Sequence, residues 1–348
     1  MMAASPVFIR PVSPEDAPAL VQLASGLDTM NLPRDPEVLA QMIAESHASF
    51  ARLARPVPTD SETPLPKGTY TLVAVRGEQV LGTASLLSHH GTPSDPHYAL
   101  RVVEHTVQSK QLQIAHRRHL LRLEREEVPW TELGGLVVHP EARGQGLGTL
   151  LVAARLLLIA MHRERFCARL LAELLPPRRA DGSNAFWDAL GGPLTGLNYS
   201  RADLLCRTDK EFIDALFPPQ EIVLELLPRE AQPLVGQVGP ATVPVWRVLQ
   251  RAGFQYLRTV DPFDGGPHYG ATLEHIQPIQ RSCRLVCLEE PPSTAVAHMM
   301  LLGHPRAYGF HAAQVQVWEH GICLGDTVAH LLHLEPGDVV WTMPLDWS

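Results

Sequence analysis

The sequence predicts an α/β fold of the α+β kind: a mixed sheet flanked by helices, then a helical extension and a small β-rich C-terminal unit. Three observations predict it. From Val7 to Cys206, short β-rich runs alternate with stretches of helical spacing. Two of those runs, Tyr70 to Val75 and Val80 to Leu87, are separated only by Arg76-Gly77-Glu78-Gln79, which reads as an antiparallel hairpin. The apolar run Leu133 to Val138 leads through His139-Pro140 and a glycine-rich loop into Thr149 to His162, an almost wholly apolar helix suited to packing on a sheet. With 348 residues the chain exceeds what one core usually organises. Three parts are therefore expected: a core over 1–206, a helical extension over 207–272 and the β-rich unit over 273–348.

The elements follow in order. Val7 to Val12 is a short strand. Ser13-Pro14-Glu15-Asp16 supplies an N-cap, a proline at the first helical position and acids in the first turn, so a helix follows with Leu20, Leu23, Ala24 and Leu27 buried. Leu39, Ile43 and Phe50 recur at helical spacing between about Pro36 and Leu53, and the proline-rich Pro56 to Pro66 reads as a surface loop. Tyr98 to Val107 suits a strand. Arg117, Arg118, Arg122 and Arg125, interleaved with Glu124, Glu126 and Glu127, read as the solvated face of a helix. Leu170 to Leu175 reads as a strand, Asn184 to Leu190 as a short helix ended by Gly191-Gly192, and Leu197 to Cys206 as a further strand or edge. Helical patterns at Lys210 to Phe217, Glu230 to Val235 and Pro244 to Ala252, the last ended by Gly253, lead to a strong turn at Asp264-Gly265-Gly266-Pro267. Apolar stretches at Cys283 to Leu288, Ala313 to Trp318 and Val339 to Met343 then alternate with turns.

Composition narrows the function classes. A formal charge of -8 without a basic stripe argues against a general nucleic-acid binder. No apolar run approaches the roughly 20 residues of a membrane span, and Met1 to Arg10 lacks the order of a signal peptide, so a cytoplasmic, membrane-free protein is expected. The cysteines Cys167, Cys206, Cys283, Cys287 and Cys323 form no even framework, and one Cys-x3-Cys pair is a weak zinc signal. The 17 histidines are scattered; His116 with His119 and His330 with His333 would share helix faces, but no third ligand accompanies them. No metal is expected.

The chemistry sits in Arg143-Gly144-Gln145-Gly146-Leu147-Gly148. Glycines let backbone approach an anion, and the following helix presents unpaired amides and a favourable dipole, so a pyrophosphate is the expected guest. A plain structural turn is the alternative on the motif alone. A dinucleotide-binding unit would place its glycines after the first strand, whereas these follow an antiparallel hairpin.

The Arg-x-x-Gly-x-Gly order, with Phe186-Trp187-Asp188-Ala189-Leu190-Gly191 farther on, resembles the coenzyme A loop of the Gcn5-related N-acetyltransferase superfamily. More specifically, the chain resembles the arginine N-succinyltransferase family in Ile9-Arg10-Pro11-Val12, Ala172-Glu173, Phe186-Trp187, Ser200 to Cys206, Glu230-Ala231-Gln232, Gly236-Gln237-Val238, Phe263-Asp264-Gly265-Gly266-Pro267 and Arg281-Ser282. The resemblance implies a Gcn5-related N-acyltransferase-like fold. It implies succinyl transfer from succinyl-CoA to the α-amino group of arginine, sometimes ornithine, in arginine breakdown. Leu136 matches a succinyl-CoA-binding position, no cofactor is held permanently, and a homodimer or a heteromer with a paralogous subunit is expected. Two departures stand out. The histidine that directly follows Gly-Gln-Val in the family, its proposed proton donor, is Gly239 here, and the family's Asn-Asp-x-Thr-Gly segment is replaced by Arg125 to Trp130. A different amine acceptor, or a catalytically idle subunit of a two-subunit enzyme, are the competing readings.

Direct transfer needs a base for the amine, donors for the oxyanion and an acid for the departing thiolate. Glu132, heading the strand before the loop, is the candidate base, with a solvated strand end as its alternative. Backbone amides from Leu136 through Val137 to Val138 are the candidate oxyanion donors, provided the strand splays. His268 and Tyr199 are candidate proton donors, against a surface turn and a core aromatic respectively. Arg201 is placed to hold a succinyl carboxylate, and Asp203 or Asp264 a cationic acceptor, while a structural Arg201–Asp203 network is equally available.

Overall fold

The computed structural model describes residues 6–25, 32–53, 55, 67–179, 181–206, 209–289, 298–306, 309–318, 321–324 and 326–347. Leu27 and the loop Pro56 to Pro66 lie outside the described residues. The strands are β1 (Phe8–Pro11), β2 (Thr69–Arg76), β3 (Gln79–His90), β4 (His97–Ser109), β5 (Ile114–Glu126), β6 (Trp130–Val138), β7 (Arg169–Glu173), β8 (Ile222–Val223), β9 (Gln255–Val260), β10 (Pro267–Thr272), β11 (Cys283–Val286), β12 (His298–Arg306), β13 (Gly309–Trp318), β14 (Gly321–Ile322) and β15 (Val339–Pro344). They form a sheet in the order β11-β15-β12-β13-β1-β2-β3-β6-β7-β10-β9-β4-β5-β8, with β14 on β13. All of these pairings are antiparallel except β6 with β7, which is parallel.

The helices are α1 (Ala17–Ser25), α2 (Pro36–Leu53), α3 (Leu147–Met161), α4 (Ala185–Ala189), α5 (Gly191–Thr195), α6 (Tyr199–Cys206), α7 (Glu211–Leu216), α8 (Val243–Ala252), α9 (Gln277–Gln280) and α10 (Asp326–Leu332). Helix α3 runs through the largest core, with Leu151, Val152, Leu156, Leu157 and Ile159 fully buried. Because every face of α3 is apolar, it can only be satisfied between other elements. It packs on β3, β6, β12, α8 and α9, and so fixes the glycine loop before it to the sheet. Helices α1 and α2 cover β1 to β3 on a separate core, and α4 to α7 close a third over Trp187.

Several expectations are corrected. The basic residues Arg117 to Arg125 lie on β5, not on a helix. Residues from His97 to Glu126 form a long hairpin in which Arg101 stands opposite Arg122; Arg122 pairs with Glu221 and Arg101 with Glu124, so these charges are met by neighbouring strand and loop positions rather than along a helix face. His116 and His119 therefore share no helix face. Leu197 to Cys206 contains helix α6, started by the Asn198 side chain accepting from Arg201 N at 2.9 Å, rather than a strand. Gly191-Gly192 does not end the helical path but begins α5. Glu230 to Val235 contains only a single 3-10 turn, Gln232–Leu234. Within 207–272, β9 and β10 are strands of the main sheet, and β13 from the tail pairs with β1, so one sheet runs across the expected seams.

Candidate functional site

Strands β6 and β7 pair only at Thr131↔Leu170 and Glu132↔Leu171. Beyond those pairs they separate, and a cavity of about 1280 Å³ opens between the rest of β6, Leu174 and Leu175, the start of α3, and α8. On its other edge β6 is bulged. Ser85 stands opposite Gly134 and Thr83 opposite Val137, so Gly135 and Leu136 together face Ala84. Gly135 has φ +61°, and a Cβ there would lie 3.0 Å from the Ser85 hydroxyl, so both conformation and space require glycine. Buried Arg155 of α3 staples the bulge: Nη1 donates to the carbonyls of Ser85 (3.3 Å) and Gly134 (3.1 Å), and Nε to Leu151 (3.2 Å).

The loop completes one end of the cleft. Gly146, at φ +78°, is the N-cap of α3, whose first bond runs from Leu150 N to Gly146 O. The amides of Leu147, Gly148 and Thr149 therefore have no partner within the helix. The space above the glycines is open, since a Cβ on Gly144, Gly146 or Gly148 would meet nothing within 4 Å. Arg143 and, from α8, Arg247 and Arg251 line the same cleft. Gln145 turns away instead, donating to Glu141 O (2.8 Å) and accepting from Arg76 (3.1 Å). Backbone amides, a helix dipole and arginines together suit a polyphosphate.

The other end is acidic. Glu132, Glu173, Asp203, Asp261 and Asp264 line it with Tyr199. Burial, and then the neighbouring Glu173, push the Glu132 carboxyl up to about 8. Asp261 is pushed up to about 7 by burial and Glu173, and Asp264 is raised well above its ordinary value by burial and Asp261. Glu173 goes the other way. Burial opposes its charge, but the bond from His97 Nε2 at 2.8 Å and the neighbouring imidazoles hold it below the usual carboxylate range. His97 is raised in turn, because Glu173 and Glu132 outweigh its burial. Burial raises the Tyr199 phenol, and Asp264, Asp261 and Asp203 add to the shift, so this hydroxyl keeps its proton.

Of the residues singled out in the sequence, the cleft brings together Glu132, Leu136, Val137, Val138, Arg143, Gly144, Gly146, Leu147, Gly148, Tyr199, Asp203 and Asp264. Gln145 is not among its lining residues. Arg201 is exposed and His268 is wholly buried, and neither lines the cleft; His268 stands opposite Glu173 across β10 and β7, not on a surface turn. Glu173, Asp261, Arg155 and the α8 arginines were not picked out as site residues. An acid that ends an apolar strand, as Glu173 does, is the signal that points to it. At Gly239, a Cβ would lie 2.6 Å from the Pro176 carbonyl oxygen, and its amide donates to Leu175 O at 2.9 Å. The backbone runs too close there for any side chain.

Room for a thioester beside the bulge and anion-binding amides at the helix start suit the chemistry of an acyl-CoA-dependent acyltransferase. Comparison with known proteins agrees. The family model described as arginine N-succinyltransferase beta subunit matches residues 7–278. The arginine N-succinyltransferases of Salmonella schwarzengrund (strain CVM19633) and Salmonella agona (strain SL483) are each 33% identical over 315 residues, 88% of this chain and 88% of theirs. The solved structure of arginine/ornithine succinyltransferase subunit AI from Pseudomonas aeruginosa superposes with a TM-score of 0.81 at 25% identity, covering 98% of this chain and 99% of that one. The chain belongs to the arginine N-succinyltransferase family. Among the described residues, no helix is long and apolar enough to cross a membrane.

Proposed function

We propose that this chain transfers the succinyl group of succinyl-CoA to the α-amino group of arginine, as a step in arginine breakdown. The supporting observation is that one cleft joins an anion-binding helix N-terminus to a cluster of buried carboxylates. The coenzyme's phosphates lie on the Leu147 to Thr149 amides and Arg143, which puts the thioester at the Gly135–Leu136 bulge, where a strand amide polarises its carbonyl. Asp203 and Asp264 hold the guanidinium, since a desolvated cation needs opposite charge. Glu132 takes the proton of the attacking amine; a base with its pKa near 8 is matched to an amine. The C–N bond forms, the C–S bond breaks, and the leaving thiolate accepts a hydrogen bond from the Tyr199 hydroxyl and is protonated from solvent, which balances the proton Glu132 has taken.

The test is thiol release from succinyl-CoA and acetyl-CoA, each with arginine, ornithine, lysine or no acceptor, followed by mass analysis. N-succinylarginine as the main product supports the reading, and a different acylated amine replaces its acceptor. One observation favours a second reading. Gly239 has neither the family's histidine nor room for one, which suits an idle subunit of a two-subunit enzyme. Acyl-CoA binding without thiol release, restored by a paralogous partner, would establish that reading instead.

A further inference from the structure

Behind Glu173 lies a row of imidazoles that acyl transfer leaves without a role. The ring centroids of His90 and His97 are 4.9 Å apart, and those of His97 and His268 are 5.2 Å apart. The rings arrive from the end of β3, the start of β4 and the start of β10. They converge on one carboxylate: His97 Nε2 is 2.8 Å and His268 Nε2 3.9 Å from Glu173 Oε1. Ligand atoms of His90, His97 and Glu173 all lie within 4.8 Å of one another, as do those of Glu173, Asp261 and His268. His97 is 6% and His268 0% exposed. Nε2 of His268 and Nδ1 of His97 are buried without a hydrogen-bond partner, and Nδ1 of His90 has only Glu132 Oε2 near it, at 3.5 Å.

Unpaired buried ring nitrogens are costly, and a hydrogen-bonded core would not leave several side by side. Neutral imidazole with carboxylate is the donor set that first-row transition ions take. We propose that this cluster binds one divalent ion of that kind between Glu173, Asp261 and the unpartnered Nε2 of His268, whose ligand atoms lie within 4.8 Å of one another, while His97 holds the Glu173 carboxylate from its other side. Glu173 also lines the cleft, which gives the ion its way in. The Thr259 hydroxyl sits 3.3 Å from His268 Nδ1, an outer partner that orients Nε2 toward the ion. Zinc would draw these ligand atoms in to ~2.0–2.2 Å. A cation here also offsets the repulsion among Glu132, Asp261 and Asp264.

The proposal does not rest on the acyl-transfer reading, and its test reads metal rather than turnover. The full chain is stripped with a chelator and titrated with zinc against a chromophoric chelator, then with cobalt while visible absorption is followed. One ion per chain, with a Kd on the order of 1 μM or tighter and a cobalt spectrum of low-coordinate nitrogen and oxygen ligation, is expected. H268N and E173Q weaken binding by at least about tenfold, whereas the H330A/H333A double variant, at another close histidine pair, binds normally. The wild-type stoichiometry and spectrum decide the matter even where a variant unfolds. Absence of saturable uptake by the wild-type chain, or uptake that survives E173Q and disappears in H330A/H333A, overturns the proposal.

Discussion

The two ends of the cleft are built in opposite ways. At the coenzyme end the bulge, the glycine turn and the helix N-terminus come from one unbroken run, Gly134 to Thr149, so local chemistry sets their geometry. At the acidic end, Glu132, Glu173, Tyr199 and Asp261 arrive from β6, β7, α6 and the turn after β9, and only sheet pairing brings them together. The first end holds its ligand with backbone, the second with buried side-chain charge. Substitutions at the acidic end should therefore alter chemistry and pH behaviour, while those at the loop should alter coenzyme affinity.

The largest effect is expected from Glu132→Gln. Its kcat should fall roughly 10²–10³-fold with little change in the KM for acyl-CoA, measured by thiol release; a raised acyl-CoA KM at unchanged kcat would move Glu132 to the other end. Arg155→Met should lose about 2–4 kcal/mol in denaturant unfolding, because the Ser85 and Gly134 carbonyls lose their charged donor. Gly239→Ala should cost about 1–3 kcal/mol, since its Cβ meets Pro176 backbone, and Gly239→His should yield a less stable chain rather than a more active one. Gly146→Ala should cost about 1–2 kcal/mol for a left-handed residue, seen mostly as a higher acyl-CoA KM.

The pH dependence sharpens the contrast. Glu132 titrates at about 8 when folded against 4.5 when exposed, so the folded chain keeps a proton that the unfolded chain has released between those values. That contribution to stability is complete below about pH 4.5 and is lost as pH rises through about 8. Unfolding free energy measured for wild type minus Glu132→Gln should fall across this window. A flat difference would mean that Glu132 is not held protonated.

This contrast explains what was legible in the sequence. Hairpin β2–β3, helix α3 and its glycine cap were readable because turn residues and apolar periodicity act over a few positions. The β5 arginines misled because a charged, solvated strand alternates like a charged helix face, and only the partner strand β4 decides between them. Glu132, Tyr199, Asp203 and Asp264 were chosen by residue type and fall together in the cleft. His97 and Asp261 went unnoticed because no short motif links them, Glu173 appeared only within a matching stretch, and His268, chosen as a proton donor against a surface-turn alternative, became a buried neighbour of Glu173 once β10 paired with β7.

The division of the cleft is tested most directly by steady-state kinetics of Gly146→Ala and Asp203→Asn, with succinyl-CoA and arginine each varied. The first should raise the KM for succinyl-CoA alone and the second the KM for arginine alone. An Asp203→Asn variant with an unchanged arginine KM, or either variant moving both constants together, would contradict the account.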